Sequence, residues 1–227
     1  MIQNTDLFYF TLRRREEKIT MKIFKHPFTA IISGPSGSGK TCFVEKLLKH
    51  ANKMIQPIPD RIIWHYGTWQ SMYESMKGVE FKQGPPTEED IQTYCNSLLI
   101  IDDLMSECVT LSSNIFTKFS HHLKISVIYI LQNLFVQSKN QRSISLNTGH
   151  IILFKNPRDF SQVMFLARQV APYNPNICVE AYQDATKHPH SYLLFDFVQD
   201  TPETHRMRTN IFPGETDDIY VRKEVDI

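Results

Sequence analysis

The sequence predicts an α/β fold in three layers, with a mainly parallel central sheet between two layers of helices. Two observations support this class. Short apolar runs typical of buried strands alternate with segments of helical periodicity, and one glycine-rich loop joins such a strand to such a helix. The length of 227 residues suits one domain of this kind with small extensions, whereas two full domains would be cramped.

Six apolar runs are predicted as strands and most segments between them as helices. The strands are 28–33, 61–65, 98–101, 127–131, 151–154 and 192–197. The helices are 41–51, a short one at 69–76, 88–94 behind the cap-like Thr87, about 113–123, and 160–170. The runs SYLLFDFV and RMRTNIF are separated by QDTPETH, which predicts a hairpin and therefore a C-terminal β extension.

The glycine-rich loop is the segment GPSGSGKT, which fits the phosphate-binding pattern G-x-x-x-x-G-K-[ST]. Its glycines let backbone N–H groups approach nucleotide phosphates, Lys40 adds a positive charge there, and Thr41 offers a hydroxyl to Mg²⁺. A glycine-rich turn that binds nothing is disfavoured, because the Lys-Thr pair and both flanks would have to coincide by chance. The predicted nucleotide contacts are Gly34, Pro35, Ser36, Gly37, Ser38, Gly39, Lys40, Thr41 and Cys42.

A second motif, SLLIIDDL, is typical of a buried strand that ends in two acids. Asp102 is the first acid after the strand and is predicted to hold Mg²⁺ together with Thr41. Asp103 is predicted to be the general base that polarises the attacking water. The alternative for Asp103 is a capping or turn aspartate, and Glu107 is the reserve candidate for the base.

The next strand, SVIYILQN, ends in the polar Gln132. We predict that this side chain senses the γ-phosphate and orients the water; the alternative is a glutamine that only ends the strand. Between Lys40 and Asp102 there is room for one further strand, 61–65, which favours the additional-strand, RecA/FtsK-like class of P-loop NTPases over GTPases and nucleotide kinases. The guanine signature N-K-x-D does not occur, so ATP with Mg²⁺ is the expected ligand.

These motifs, together with QRSISLNTGHIILFKNPRDF and the segment from LLFDF to RTNIFPGE, resemble the viral genome-packaging ATPases of the FtsK/HerA superfamily. The similarity is greatest to the A32-like ATPases of Polinton-type elements and adintoviruses, and it runs from Met21 to about Gly214. One departure is Asp103, where many members of the superfamily carry glutamate.

The resemblance implies a homo-oligomeric ring that hydrolyses ATP and drives double-stranded DNA, without reading its sequence, into a preformed capsid. It also implies a capsid protein as partner at the packaging vertex and an arginine supplied by the neighbouring subunit. Arg142 is the first candidate for that arginine and Arg158 the second, and each has the alternative of a solvated loop or ion-paired residue. Lys124 and Lys139 are candidates for contacts to DNA phosphates, or simply surface lysines.

Charge and composition bound the remaining expectations. Residues 1–20 are expected to be a poorly ordered N-terminal extension, 21–212 the P-loop ATPase domain, and 213–227 an exposed acidic tail. No apolar run approaches the roughly 20 residues that span a bilayer, and no signal-peptide pattern is present, so no membrane partner is expected. An intracellular location is expected, which the resemblance places in the host nucleus or cytoplasm, or with the virion.

Two alternatives from other functional classes stay open at this stage. A nucleoside or nucleotide kinase uses the same loop, but it needs a lid with clustered arginines, and no such cluster follows the acidic strand. A nucleotide-switched scaffold for capsid assembly would bind without hydrolysis. The widely spaced cysteines suggest neither disulfides nor a zinc site, and the net charge of +1 gives no overall case for nucleic-acid binding.

Overall fold

A computed structural model of the chain describes residues 10–14, 23–104, 114, 120–135 and 144–222. Its strands are β1 (Phe10–Arg14), β2 (Phe24–Lys25), β3 (Thr29–Ser33), β4 (Ile55–Gln56), β5 (Arg61–Tyr66), β6 (Val79–Gln83), β7 (Ser97–Asp102), β8 (Ser126–Leu131), β9 (His150–Phe154), β10 (Tyr192–Asp196), β11 (Met207–Thr209) and β12 (Asp218–Arg222). Its α-helices are α1 (Lys40–Lys49), α2 (Ala51–Met54), α3 (Glu88–Thr93), α4 (Ser120–His122), α5 (Ser161–Val170) and α6 (Asn176–Ala185), and short 3-10 turns cover Ser71–Ser75 and Glu203–His205.

Ten of the strands form one sheet in the order β1-β12-β11-β10-β9-β3-β8-β7-β5-β6, while β2 and β4 pair separately. The six strands from β9 to β6 are parallel to one another. The four strands from β1 to β10 add to β9 by antiparallel pairing. The sheet is therefore mixed, and the prediction of a mainly parallel sheet is wrong for its C-terminal part.

The connection after β9 explains this change of direction. A single helix would carry the chain back to the opposite edge of the sheet, as a parallel crossover requires. Here α5 and α6 follow one another, so the chain returns to the edge where β9 ended, and β10 runs antiparallel to it. The hairpin predicted from the two late β runs is confirmed, because Leu194 pairs with Arg208 and Phe195 with Met207.

The strand that lies between the loop strand and the acidic strand is β8, which pairs with both β3 and β7. The segment predicted to be this intervening strand is 61–65. That assignment is wrong, since β5 lies on the far side of β7. An intervening strand is nevertheless present, but it comes from later in the chain, because the order of strands along the chain does not fix their order in the sheet.

Apolar side chains fill both faces of the sheet, which gives the predicted three layers. Successive residues of β3 point to opposite faces, so that Ile31 joins the cluster that packs against α5 and α6, and Ile32 joins the cluster that packs against α1. Thr87 caps α3 as predicted: its hydroxyl accepts from the Asp90 backbone N–H at 3.1 Å, and the Asp90 carboxylate accepts from the Thr87 N–H at 3.0 Å.

The two segments predicted to lie outside the domain contribute strands to the sheet: β1 is its edge strand, and β12 lies between β1 and β11. β1 pairs with β12 over five residues, from Phe10 opposite Arg222 to Arg14 opposite Asp218. Ile219 and Tyr220 are buried, so this part of the acidic tail is not an exposed arm. The apolar stretch IYV lies between charged residues, DD before it and RK after it, and the charge of the segment concealed its strand character.

Within the predicted helix 113–123 the described residues are 114 and 120–123, of which 114 and the three residues of α4 are helical. The candidate residues Glu107, Lys139 and Arg142 lie outside the described residues. In the part of the chain that the structure describes, no helix has both the length and the apolar character needed to cross a membrane.

Candidate active site at the carboxyl edge of the sheet

A cavity of about 780 Å³ opens at the edge where the six parallel strands end, called here the carboxyl edge. Ligands of α/β proteins bind at this edge, and the volume is typical of small-molecule sites. The cavity is lined by Ser36, Gly37, Gly39, Lys40, Thr41, Cys42, Phe43, Lys46, Gln70, Met72, Asp102, Asp103, Ile130, Leu131, Gln132, Phe154, Pro189, His190, Ser191, Tyr192, Asn210, Phe212 and Glu215. The predicted loop, acids and glutamine therefore meet in one place.

The glycine-rich loop connects β3 directly to α1. Gly37 and Gly39 have φ angles of 74° and 103°, in the left-handed region that favours glycine. Gly34 is required for a different reason, because a Cβ atom there would lie 2.7 Å from the Cβ of Phe154 and 2.8 Å from Oγ of Ser38. Thus the loop is shaped by backbone conformation at two glycines and by close packing at the third.

Six of the nine predicted nucleotide contacts line the cavity: Ser36, Gly37, Gly39, Lys40, Thr41 and Cys42. The other three, Gly34, Pro35 and Ser38, do not line the cavity but stabilise the loop by backbone hydrogen bonds. Gly34 donates its N–H to the Leu131 carbonyl at 3.2 Å, and the Ser38 N–H donates to the Pro35 carbonyl at 3.2 Å. These bonds tie the loop to the end of β8 and hold its turn.

Lys40 folds back over its own loop. Its Nζ donates to the carbonyl oxygens of Gly34 at 2.7 Å and Pro35 at 2.9 Å. Burial lowers the pKa of Lys40, while the charges of Asp102 and Asp103 act in the opposite direction. The ammonium group therefore lies between the loop and the acidic strand, where it can meet the terminal phosphates of a nucleotide.

Asp102 ends β7 as a buried carboxylate. The hydroxyl of Tyr73 donates to its Oδ2 at 2.8 Å. Burial raises the pKa of Asp102, with a further contribution from Asp103, and the Tyr73 hydrogen bond and the Lys40 charge oppose this rise. Burial and the nearby Asp102 charge raise the pKa of Tyr73, so the hydroxyl keeps its proton and stays a donor.

Asp103 follows as an exposed residue with φ 56°, a left-handed conformation that aspartate tolerates better than most residues. The side-chain amide of Gln132 donates to its two carboxylate oxygens at 3.1 and 3.3 Å. The Asp103 N–H donates to the Ile130 carbonyl at 3.3 Å. The predicted base and the predicted sensor are thus hydrogen-bonded neighbours at the tips of two adjacent strands.

Thr41 and Asp102 line the same cavity and fit a Mg²⁺ ion that arrives with a nucleotide. Mg²⁺ in such sites takes one or two protein oxygens and completes its shell with phosphate oxygens and water. Among the described residues there is no group of three or more His, Cys, Asp or Glu side chains that would hold a metal without such a ligand. A metal shared with the substrate is therefore the arrangement that these donors suit.

The remaining charged candidates lie apart from the cavity lining. Arg158 is exposed in the turn after β9, where its backbone N–H donates to Oδ1 of Asn156 at 3.1 Å. Lys124 is exposed in the turn before β8, at the opposite edge of the sheet. Neither residue lines the cavity.

Sequence reasoning missed Tyr73, which carries no motif and lies 29 residues from Asp102. It also missed the wall formed by residues 189–192 and 210–215. The segment RTNIFPGE supported the family resemblance, but it received no role at the site. Basic, amide, aromatic and acidic side chains stand close together in that segment, and this mixture was a signal that could have marked it as part of a binding site.

Comparison with known proteins gives distant structural likenesses only. No family model matches the chain, and no curated protein matches its sequence. The cytoplasmic domain of the Thermomonospora curvata type VII secretion ATPase EccC is similar with a TM-score of 0.49 and 13% identity, over 88% of this chain and 26% of that one.

EssC (ATPases 2 and 3) from Geobacillus thermodenitrificans gives a TM-score of 0.47 and 12% identity, over 85% of this chain and 39% of that one. The cytoplasmic domain of EssC gives 0.43 and 16%, over 62% and 33%. This chain therefore spans between about a quarter and two fifths of the length of these three proteins. All three TM-scores are below 0.5, so the function proposed below is argued from the site itself.

Proposed function

We propose that the chain is a Mg²⁺-dependent ATPase of the P-loop class. The observation that carries this proposal is the meeting of Lys40 with Asp102, Asp103 and Gln132 in one cavity. A loop that only bound phosphates would not need a carboxylate hydrogen-bonded to an amide beside it, as Asp103 is to Gln132. An acid and an oriented hydrogen-bond donor next to a phosphate site suit the activation of water.

In the proposed reaction the loop N–H groups and Lys40 hold the β- and γ-phosphates. Thr41 and Asp102 would hold Mg²⁺, which when bound offsets charge on the phosphate oxygens. Gln132 orients a water beside Asp103, and Asp103 accepts a proton from that water as its oxygen bonds to the γ-phosphorus. The bond from the γ-phosphorus to the bridging oxygen breaks, which leaves ADP and phosphate.

We further propose that hydrolysis drives double-stranded DNA into a capsid, with the chain as one subunit of a ring. The support for this step is the sequence resemblance to genome-packaging ATPases, which covers most of the chain. Arg158 is exposed at the carboxyl edge and does not line its own cavity. It is thus available to a neighbouring subunit, as an arginine acting in trans must be. Arg142 stays the other candidate for that role.

The deciding experiment measures the ATPase rate with and without double-stranded DNA and sizes the assembly under the same conditions. DNA-stimulated hydrolysis by a ring is expected. A DNA-indifferent monomer that phosphorylates nucleosides would overturn the motor and favour a kinase. Nucleotide binding with no turnover would favour the scaffold.

Two substitutions test the site within that experiment. Lys40→Ala should abolish ATP binding, because it removes the charge that faces the phosphates. Asp103→Asn should keep binding and reduce turnover by about 10²–10⁴-fold, the usual contribution of a general base. The matched control is Lys49→Ala, at the other end of α1 and paired with Glu45. Normal turnover by Asp103→Asn would rule out that residue as the base.

A further inference from the structure

The catalytic groups fix the direction in which a nucleotide must lie. Asp102, Asp103 and Gln132 come from β7 and β8, which lie on one side of the loop strand β3. If the γ-phosphate faces these groups, the nucleoside leaves the loop toward the other side. On that side lie β9, which is parallel to β3, and then β10 and β11, which begin the antiparallel part of the sheet.

On this side the cavity is lined by residues 189–192 and, within the segment 210–215, by Asn210, Phe212 and Glu215. These two segments are called here the C-terminal wall. The wall begins beside the phosphate loop itself. A Cβ atom on Gly39 would lie 3.4 Å from the Cβ of His190 and 3.5 Å from its Nδ1. His190 is therefore in place to contact the part of a nucleotide that joins the phosphates to the ribose.

The far end of the wall is packed against α1. The Phe212 ring lies edge to face with Phe43, with the ring centres 5.0 Å apart. Lys46 of α1 lies 4.5 Å above the Phe212 ring and forms an ion pair with Glu215. These contacts hold the wall in a fixed position one helical turn beyond the phosphate loop.

Polar groups able to recognise a base and a ribose are present on this wall. Asn210 lines the cavity with φ 55°, and its side-chain amide donates to Asp218 at 2.9 Å. The carboxylate of Glu215 accepts from the Phe212 N–H at 3.2 Å while it pairs with Lys46. Amide, carboxylate and ammonium groups in a cavity with aromatic walls match the mixed donors and acceptors of a nucleoside.

We propose that the C-terminal wall is the nucleoside-binding subsite, with His190 beside the ribose and Asn210 and the Lys46–Glu215 pair at the base. This inference rests on the proposed ATPase function and extends it. The parallel part of the sheet then carries the hydrolytic groups, while the antiparallel extension holds the nucleoside. The segment RTNIFPGE thereby gains a role in nucleotide binding.

The test separates nucleoside contacts from phosphate contacts by comparing ATP with inorganic tripolyphosphate. His190 and Asn210 both have positive φ angles, so glycine removes their side chains while the backbone is preserved. The matched control is Lys124→Gly, at φ 52° on the opposite edge of the sheet. Affinities are measured by calorimetry in the presence of Mg²⁺, and thermal melting confirms that each variant is folded.

The double variant His190→Gly/Asn210→Gly should bind ATP about tenfold more weakly, as expected for losing one or two hydrogen bonds. It should bind tripolyphosphate as the unsubstituted chain does, and Lys124→Gly should change neither affinity. Unchanged ATP affinity in the double variant, or an equal loss for both ligands, would overturn the inference. If Lys40→Ala binds ATP as tightly as the unsubstituted chain, the proposed function itself fails. If Lys40→Ala loses ATP binding but the double variant does not, only the nucleoside subsite is refuted.

A second measurement uses the unsubstituted chain and so does not depend on how the variants fold. Photolabelling with 8-azidoadenosine triphosphate should mark peptides that contain residues 189–192 or 210–215, in competition with ATP. Labelling confined to other peptides would overturn the subsite.

Discussion

Asp102 places an ionisable carboxylate, a group usually found at the surface, in a buried position. Its side chain lies at the end of a fully buried strand, beside a second carboxylate and under the hydroxyl of Tyr73. The sequence could predict the acid, because four apolar residues precede it. The tyrosine could not be predicted, since the contact depends on how the turn after β5 folds back over the sheet.

Tyr73→Phe tests this hydrogen bond. The change removes the Tyr73 hydrogen bond to Oδ2, which lowers the pKa of Asp102, and keeps the ring, so that pKa should rise further. Because Asp102 must be ionised to bind a metal, activity should be lost at a higher pH as the solution is acidified. Mg²⁺ affinity should fall about 10-fold, as for other groups that orient metal ligands. The measurements are a Mg²⁺ titration and a pH–rate profile.

Tyr66→Phe is the control for that change, because Tyr66 packs in the same aromatic cluster with its ring centre 5.7 Å from that of Tyr73. An unshifted acid limb and unchanged Mg²⁺ affinity in Tyr73→Phe would show that the hydroxyl has only a structural role.

Asp102→Asn should stabilise the nucleotide-free chain. A carboxyl whose pKa is raised on folding binds its proton more tightly in the folded state, so its ionised form reduces stability at neutral pH. The neutral amide removes that cost, on the order of 1 kcal/mol, while metal binding is lost. The measurement is urea unfolding at neutral pH, with the exposed Asp200→Asn as control. The gain should shrink at lower pH as Asp102 protonates, and a loss of stability at neutral pH would contradict the prediction.

At the scale of elements, a buried charged group joins three strands at the edge opposite the cavity. Arg208 of β11 lies 3.3 Å from Asp196 of β10, which lies 3.7 Å from His150 of β9. All three residues are buried. Burial lowers the pKa of His150, with Asp196 opposing, so the imidazole is neutral near pH 7 and the arginine–aspartate pair carries the charge.

Asp196→Ala should therefore cost about 3–5 kcal/mol of unfolding free energy, because it leaves the Arg208 guanidinium buried without a counter-charge. Urea unfolding measures this loss. The control is Glu203→Ala, which breaks the Arg206–Glu203 pair in the same hairpin and should cost less than about 1 kcal/mol, because the Glu203 side chain is 83% exposed. Equal effects of the two substitutions would contradict the idea that burial makes Asp196 important.

The elements that the sequence predicted are those with a continuous apolar run. All six predicted strands are present, because such runs need burial on both faces. β6 was missed, since its residues are only partly buried and polar ones alternate with apolar ones. β12 was missed because charged neighbours on both sides obscured three apolar residues. Local pattern thus detects the central, fully buried strands well and the outer strands of the sheet poorly.

At the scale of the whole molecule, the order of strands in the sheet was the part that the sequence did not determine. Motif spacing predicted that the loop, the acids and the glutamine would share one edge, because parallel strands end together. It misassigned the strand between β3 and β7, since spacing along the chain says nothing about which side of a strand the next one joins. The cavity wall that closes the site depends on the fold of the C-terminal extension.

The proposed ring makes a prediction at this scale. When unsubstituted chains are mixed with Arg158→Ala or Arg142→Ala chains, activity should fall more steeply than the fraction of mutant, because each mutant also disables a neighbour's site. The measurement is the ATPase rate across mixing ratios. A proportional fall for both arginines would argue that neither is shared between subunits.

The position of β8 also sets a dimension of the site. Neighbouring strands lie about 4.8 Å apart, so one strand between β3 and β7 separates their ends by roughly 10 Å. In the proposed reaction, this width would accommodate a phosphoryl group and one water molecule between the loop and Asp103, with Gln132 on the strand between them. Backbone hydrogen bonds fix this width, so substitutions among the buried strand residues should lower the stability of the sheet before they change the distance from the loop to Asp103, the proposed base.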